Sequence, residues 1–166
     1  VDRVGELLVL RPDRADFREA LVMQTSRAGE AALSSALKWT EKAIDAADDP
    51  EIEADLKVEA AGFSASLGSV EDAIEALRKV IAEHADHTRA LVLLCEQLKR
   101  AQRFEEIEPL YRERLEGETR PEVRKSLLVD LANMLAGPLA RPADAEQVYR
   151  SMADEFGPDE VAPWLG

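Results

Sequence analysis

The sequence predicts an all-α chain, and three observations carry that reading. Glycine and proline are few, at 8 each in 166 residues, while alanine, leucine, glutamate and arginine dominate, a composition that favours helices. No period-two alternation of Val, Ile, Thr and aromatic residues persists, so strand signals are absent. Apolar residues recur instead at helical spacing: Ala73, Leu77 and Ile81 are followed 34 residues later by Ile107, Tyr111 and Leu115.

Punctuation brackets about eight helices in order. Asp13 is expected to cap a first helix from about Arg14 to Arg27, and Gly29 marks the break before a second that runs to about Ala47. Asp49 followed by Pro50 reads as an N-cap with proline at the first helical position, opening a third helix to about Leu67. Gly68 turns the chain, and Ser69-x-x-Asp72 reads as a capping box for a fourth helix ending near His84. Thr88 is expected to cap the fifth, to about Arg100, and "RFEEIEPLYRERLEG" supplies a sixth that stops at Gly117. Pro109 falls inside that sixth helix, where an interior proline costs about 3 kcal/mol or bends the axis. Thr119-Arg120-Pro121-Glu122 combines a capping box with an early proline and opens a seventh helix through Leu135. "AGPLARP" breaks the chain before an eighth, from about Ala143 to Phe156.

The helices fall into pairs that repeat. A third copy of the second-helix pattern places Ala145 and Tyr149 where the second has Ile107 and Tyr111, 38 residues on. In the preceding helices Leu91, Leu94, Cys95 and Leu98 match Leu128, Leu131, Ala132 and Leu135, one apolar stripe in each. A single helix pair cannot bury such a stripe, so neighbouring pairs must cover it. Approximate units are 13–48, 49–86, 87–118 and 119–157 of one helical-repeat domain over 1–166. The stretches "LLVLRPD" and "GPDEVAPW", the latter with Trp164, read as parts of further units at the two ends.

A 34-residue helix-turn-helix unit with an alanine-led second helix resembles the tetratricopeptide repeat (TPR) family. The closest copy is "AAGFSASLGSVEDAIEALRKVI", where Ala61, Gly68, Ala73 and Leu77 stand on the family's small, turn-glycine, alanine and large apolar positions. Lys57 and Ser64 stand where the family usually has large apolar groups, and Gln102 replaces the turn glycine in the next copy. The resemblance covers residues 30 to 157. It implies a right-handed superhelical solenoid of antiparallel helix pairs whose concave groove holds an extended peptide or partner helix. Projected groove positions are Arg89, Val92, Leu93, Glu96, Lys99 and Arg100 on one first helix, and Ser126, Val129, Asp130 and Asn133 on the next. Lys99, Arg100 and Asn133 do not reproduce the family's carboxylate clamp.

Charge and composition exclude several classes. With 21 basic against 34 acidic residues the net charge is −13, which repels phosphate backbones and anionic headgroups, so nucleic-acid binding is not expected. No run of about 18 apolar residues exists, so membrane insertion is not expected either. The single cysteine, Cys95, lies in "ALVLLCEQL" and reads as packed core; no internal disulfide can form. The chain starts at Val and ends on "APWLG", which reads as a piece of something longer; the cytoplasm is the default expectation for it, a secreted or envelope parent being the alternative.

No residue pattern nominates catalysis. His84 and His87 have His-x-x-His spacing, but they fall where the fourth helix gives way to a turn, so their rings are not expected to share a helix face, and a third ligand would have to be a carboxylate such as Asp86. Acid pairs such as Glu105 and Glu108 read as a solvated face, and no acid reads as lying inside an apolar stripe. The run "EKAIDAADDPEIEADLKVE" holds eight acids against two lysines and likewise reads as a solvated turn and helix face, or as a surface that attracts basic partners. Trp39 is expected to pack in or beside the core. No GxGxxG, P-loop or G-x-S-x-G pattern occurs. The expectation is a non-catalytic protein-interaction scaffold without metal or cofactor, binding a protein or peptide partner, with self-association open. The alternative is a regulatory or ligand-sensing helical domain of a longer enzyme or transcription regulator.

Overall fold

The computed structural model describes residues 1–26 and 28–157. Among them the chain is all-helical: nine α-helices and one 3-10 turn, with no strand. The helices are α1 (Asp2–Leu10), α2 (Ala15–Thr25), α3 (Glu30–Asp45), α4 (Pro50–Ser66), α5 (Val70–Glu83), α6 (Thr88–Arg100), α7 (Ile107–Gly117), α8 (Pro121–Ala136) and α9 (Pro142–Phe156). The helix ending in "LLVL" is thus present as α1. Arg27, the expected end of α2, and "PDEVAPW" lie outside the described residues.

The chain divides into two compact units, Val1–Gln97 and Leu98 onward. In the first, α1 packs on α2 and α3, α3 on α4, and α4 on α5. Leu8, Leu21, Ala36, Ala43, Leu56 and Phe63 form one buried cluster. The start of α6 joins this unit through Leu93, whose Cδ2 lies 3.7 Å from where a Cβ on Gly62 would be. Gly5 is buried against the Trp39 ring, so α1 reaches α3 more closely than any side chain would allow. Trp39 is half-buried there; its indole N–H donates to Asp2 Oδ1 at 3.1 Å and Lys42 Nζ lies 4.2 Å from its ring centroid. In the second unit α7 packs on α8 and α8 on α9. Ile107, Leu131, Leu135 and Met152 are fully buried in it. Arg124 of α8 donates from Nη1 to the carbonyls of Leu115 and Glu118, satisfying the C-terminal end of α7, and pairs with Glu155 of α9.

Several caps differ from the sequence reading. Asp49 caps α4 as expected, its Oδ1 accepting from the N–H groups of Glu51 and Ile52, with Pro50 first in the helix. Asp13 does not cap α2; its carboxylate is taken by the Arg11 guanidinium. Neither capping box forms: no side chain caps α5 or α8. Ahead of α8 the Arg120 N–H donates to Glu118 Oε1 instead, and that carboxylate also receives the guanidinium of Arg120 and of Arg114. Those donors, Arg120 foremost, hold the Glu118 pKa down at about 2. Thr88 is already helical, and the cap of α6 is His87, whose ring Nδ1 accepts from the Ala90 N–H at 3.2 Å.

Pro109 carries no interior penalty. The sixth element starts as a 3-10 turn, Phe104–Glu106, and α7 begins only at Ile107, so Pro109 lies in the first turn, where an N–H has no intrahelical acceptor. The turns ahead of α5 and α7 share a backbone feature. Gly68 has φ +95°, and Gln102, 34 residues later, has φ 58°. A non-glycine residue in the left-handed region is strained by roughly 1 kcal/mol. Gln102→Gly is therefore expected to raise unfolding stability by about 0.5 to 1 kcal/mol, read as a shift of the denaturant midpoint at constant slope. A lower midpoint would show that the Gln102 amide, which donates to the Lys99 carbonyl, outweighs the strain.

Candidate interaction surface

One side of α4 carries Glu51, Asp55 and Glu59 at successive i, i+4 positions, which place three carboxylates on one helix face. Each meets a cation or an imidazole from another element. His84 Nδ1 lies 3.2 Å from Glu51 Oε1, and His87 Nε2 lies 3.3 Å from Asp55 Oδ1. Arg18 of α2 reaches Asp55 at 3.0 Å and Glu59 at 3.9 Å. Arg89 of α6 donates to Glu59 Oε1 at 3.1 Å. Along this face Glu51 stays exposed, Asp55 is half-buried and Glu59 is buried, so only its first turn is solvated.

Glu59 corrects the expectation that no acid lies inside an apolar stripe: its side chain is 4 % exposed. Burial pushes its pKa up, and Arg89 and Arg18 oppose that shift. Both arginines approach the same oxygen. Glu59 Oε2 and Arg18 Nη1 are buried without a hydrogen-bond partner among the described residues. The cluster thus ties α2, α4 and α6 through charge-assisted contacts and fixes the half-exposed guanidinium of Arg89 at the surface.

The projected groove residues fall on both units. On α6, Arg89, Val92 and Glu96 are exposed and share one helix face, and Leu93 beside them is half-buried against Gly62. Val92, at 54 % exposure, is one of few large apolar side chains so open among the described residues. Lys99, Arg100, Ser126, Asp130 and Asn133 are exposed, and Val129 is half-buried. Desolvation raises the Asp130 pKa, with the charge of Lys99 opposing it. Asn133 Oδ1 accepts from the Tyr149 hydroxyl at 3.1 Å, so that amide already has a partner within the fold. Cys95 is buried, as its apolar setting implied. Sequence reasoning missed Arg18, Asp55 and Glu59. The register could have found two of them, since Asp55 and Glu59 stand 34 residues before Arg89 and Leu93.

The two histidines have separate roles. His84 ends α5 with φ −134° and ψ 77°, outside the helix, while His87 opens α6. Among the described residues no three His, Cys, Asp or Glu side chains cluster so as to hold a metal ion, and no helix is long and apolar enough to cross a membrane. No protein-family model matches the chain, and no curated protein does so either.

Proposed function

We propose that this chain is a non-catalytic protein-interaction scaffold, built as a right-handed solenoid of TPR-like helix pairs, which binds an extended peptide or partner helix along the first helices of its pairs. The observation that carries the reading is the outward face of α6. There Arg89, aligned by buried Glu59, lies beside exposed Val92 and Glu96. A partner gains apolar burial on Val92 and a charged hydrogen bond from a guanidinium that is already oriented, so little side-chain entropy is lost on binding. The equivalent left-handed turns at Gly68 and Gln102 support the repeat register on which the groove positions rest. Partner recognition of this kind makes and breaks no covalent bond.

The test is selection of peptides from a displayed library on the purified protein, followed by calorimetry with the synthetic peptide. Val92→Asp is expected to weaken binding about tenfold, because a charge replaces the apolar contact, and Glu96→Lys to invert the preference for peptide charge. Both substitutions are at exposed sites, so the unfolding midpoint should stay within about 0.5 kcal/mol of the parent. Selected peptides whose affinity is indifferent to both variants would overturn the assignment of this face.

A further inference from the structure

The other side of α4 holds a cleft of about 500 Å³ between α3 and α5. Its α4 wall is Lys57, Ala60, Ala61 and Ser64. These four stand 34 residues before Leu91, Leu94, Cys95 and Leu98, and they match Leu128, Leu131, Ala132 and Leu135 of α8. The large apolar stripe that fills the space between helix pairs elsewhere is thus reduced in α4 to lysine, two alanines and serine. The corresponding hollow of the second unit, where Leu128, Leu131 and Val148 stand beside polar groups such as Arg112, Arg141 and Asp144, holds about 230 Å³. Truncated side chains leave unfilled volume in a packed fold, and the short side chains of α4 open the cleft on that wall.

The rim has a sign. Glu41 of α3 and Asp72, Glu75 and Glu83 of α5 border the cleft, against Lys57 and Lys79. Both lysines are already neutralised, Lys57 by Glu53 and Glu83 and Lys79 by Glu75. Glu41 and Asp72 make no ion pair among the described residues. The floor is apolar, from Leu37, Ile44, Ala60 and Ala76.

We propose that this cleft is a second docking site, distinct from the α6 face, which takes a large apolar side chain of a partner segment flanked by lysine or arginine. The volume falls in the range of anchor and ligand pockets. The unpaired rim acids select basic flanks, and another copy of this chain, at net charge −13, is the wrong partner for that rim.

The probe is a fluorescein-labelled synthetic peptide with a Trp-Leu centre between lysine pairs, read by anisotropy against the same peptide with glutamate pairs. Saturable binding of the lysine form alone is expected, weakening as salt screens the rim. Ser64→Tyr restores a large side chain to the cleft and is expected to weaken binding about tenfold while raising the thermal midpoint. Should Ser64→Tyr fold poorly, Ala60→Leu provides the same block with a smaller group. Glu41→Lys with Asp72→Asn is expected to weaken binding at low salt and to change nothing at high salt. Equal binding by a folded, cleft-filled variant, equal binding of the glutamate peptide, or no saturable binding of the lysine peptide would each overturn the proposal. So would self-association in sedimentation velocity that Ser64→Tyr abolishes, which would assign the cleft to a second copy.

Discussion

Gly5→Ala is expected to destabilise the first unit by about 3 kcal/mol, although the same change in an open helix would stabilise by about 1 kcal/mol through propensity alone. The added Cβ would lie 2.2 Å from Trp39 Cγ, 2.4 Å from Cδ1 and 2.6 Å from Cβ. Rotation of the indole relieves the first two contacts but leaves the third, because Trp39 Cβ is fixed by the α3 backbone. The ring is also held by Asp2 and Lys42. Helix α1 must therefore lift, and with it Leu8, which is wholly buried. Complete loss of Leu8 burial costs about 2 to 3 kcal/mol, of the same order as the clash it relieves. Guanidinium unfolding followed by fluorescence, in a Trp164→Phe background that leaves Trp39 as the sole indole, should show an earlier midpoint and red-shifted native emission. A midpoint at or above that of the parent would show that α1 does not approach α3 as closely as described.

Arg18→Met is expected to cost about 3 kcal/mol, the low end for removing one member of a buried charged cluster, because Arg89 remains beside Glu59. The sign of the pH effect follows from the Glu59 pKa, which burial has raised above its ordinary 4.5. The folded state then binds the Glu59 proton more tightly than the unfolded state does. Its carboxylate weakens the fold at pH above that raised value, and the penalty is relieved as pH falls through it toward 4.5. Without Arg18 the relief should be larger, so the gap between variant and parent narrows from pH 7 to pH 5. Adding Glu59→Gln to Arg18→Met should recover part of the loss at pH 7 and remove the pH dependence of the gap. A gap that stays constant with pH, or a double variant no more stable than Arg18→Met, would show that Glu59 is not the stranded charge.

Most helices were legible because proline, glycine and the apolar period are local signals. Pro50 and Asp49 open α4 where a local rule places them, and Gly68 turns the chain where only a left-handed residue serves. What escaped is non-local or conditional. Ser69 and Thr119 carry the right side chains in the right order, yet Ser69 makes no cap bond and Thr119 precedes a junction organised by Glu118. The break before α7 hides inside the stretch "FEEIEP", and the 3-10 turn there turns an apparent fault at Pro109 into a permitted start. Glu59 was read as exposed because its partners come from α2 and α6, and no window along α4 contains both arginines. The cleft was half visible: Lys57 and Ser64 stood out as departures from the family pattern, but a departure becomes a vacancy only when the flanking helices fail to fill it.

His87 carries a consequence for the way two helices are joined. Its Nδ1 shares the Ala90 N–H with its own backbone carbonyl at the start of α6, while Nε2 lies 3.3 Å from Asp55 Oδ1 on α4. Both ring nitrogens thus have a neighbour within the fold, a backbone amide on one side and a carboxylate on the other. A side chain so placed bridges the start of α6 to the face of α4, tying two helices that are far apart in the chain.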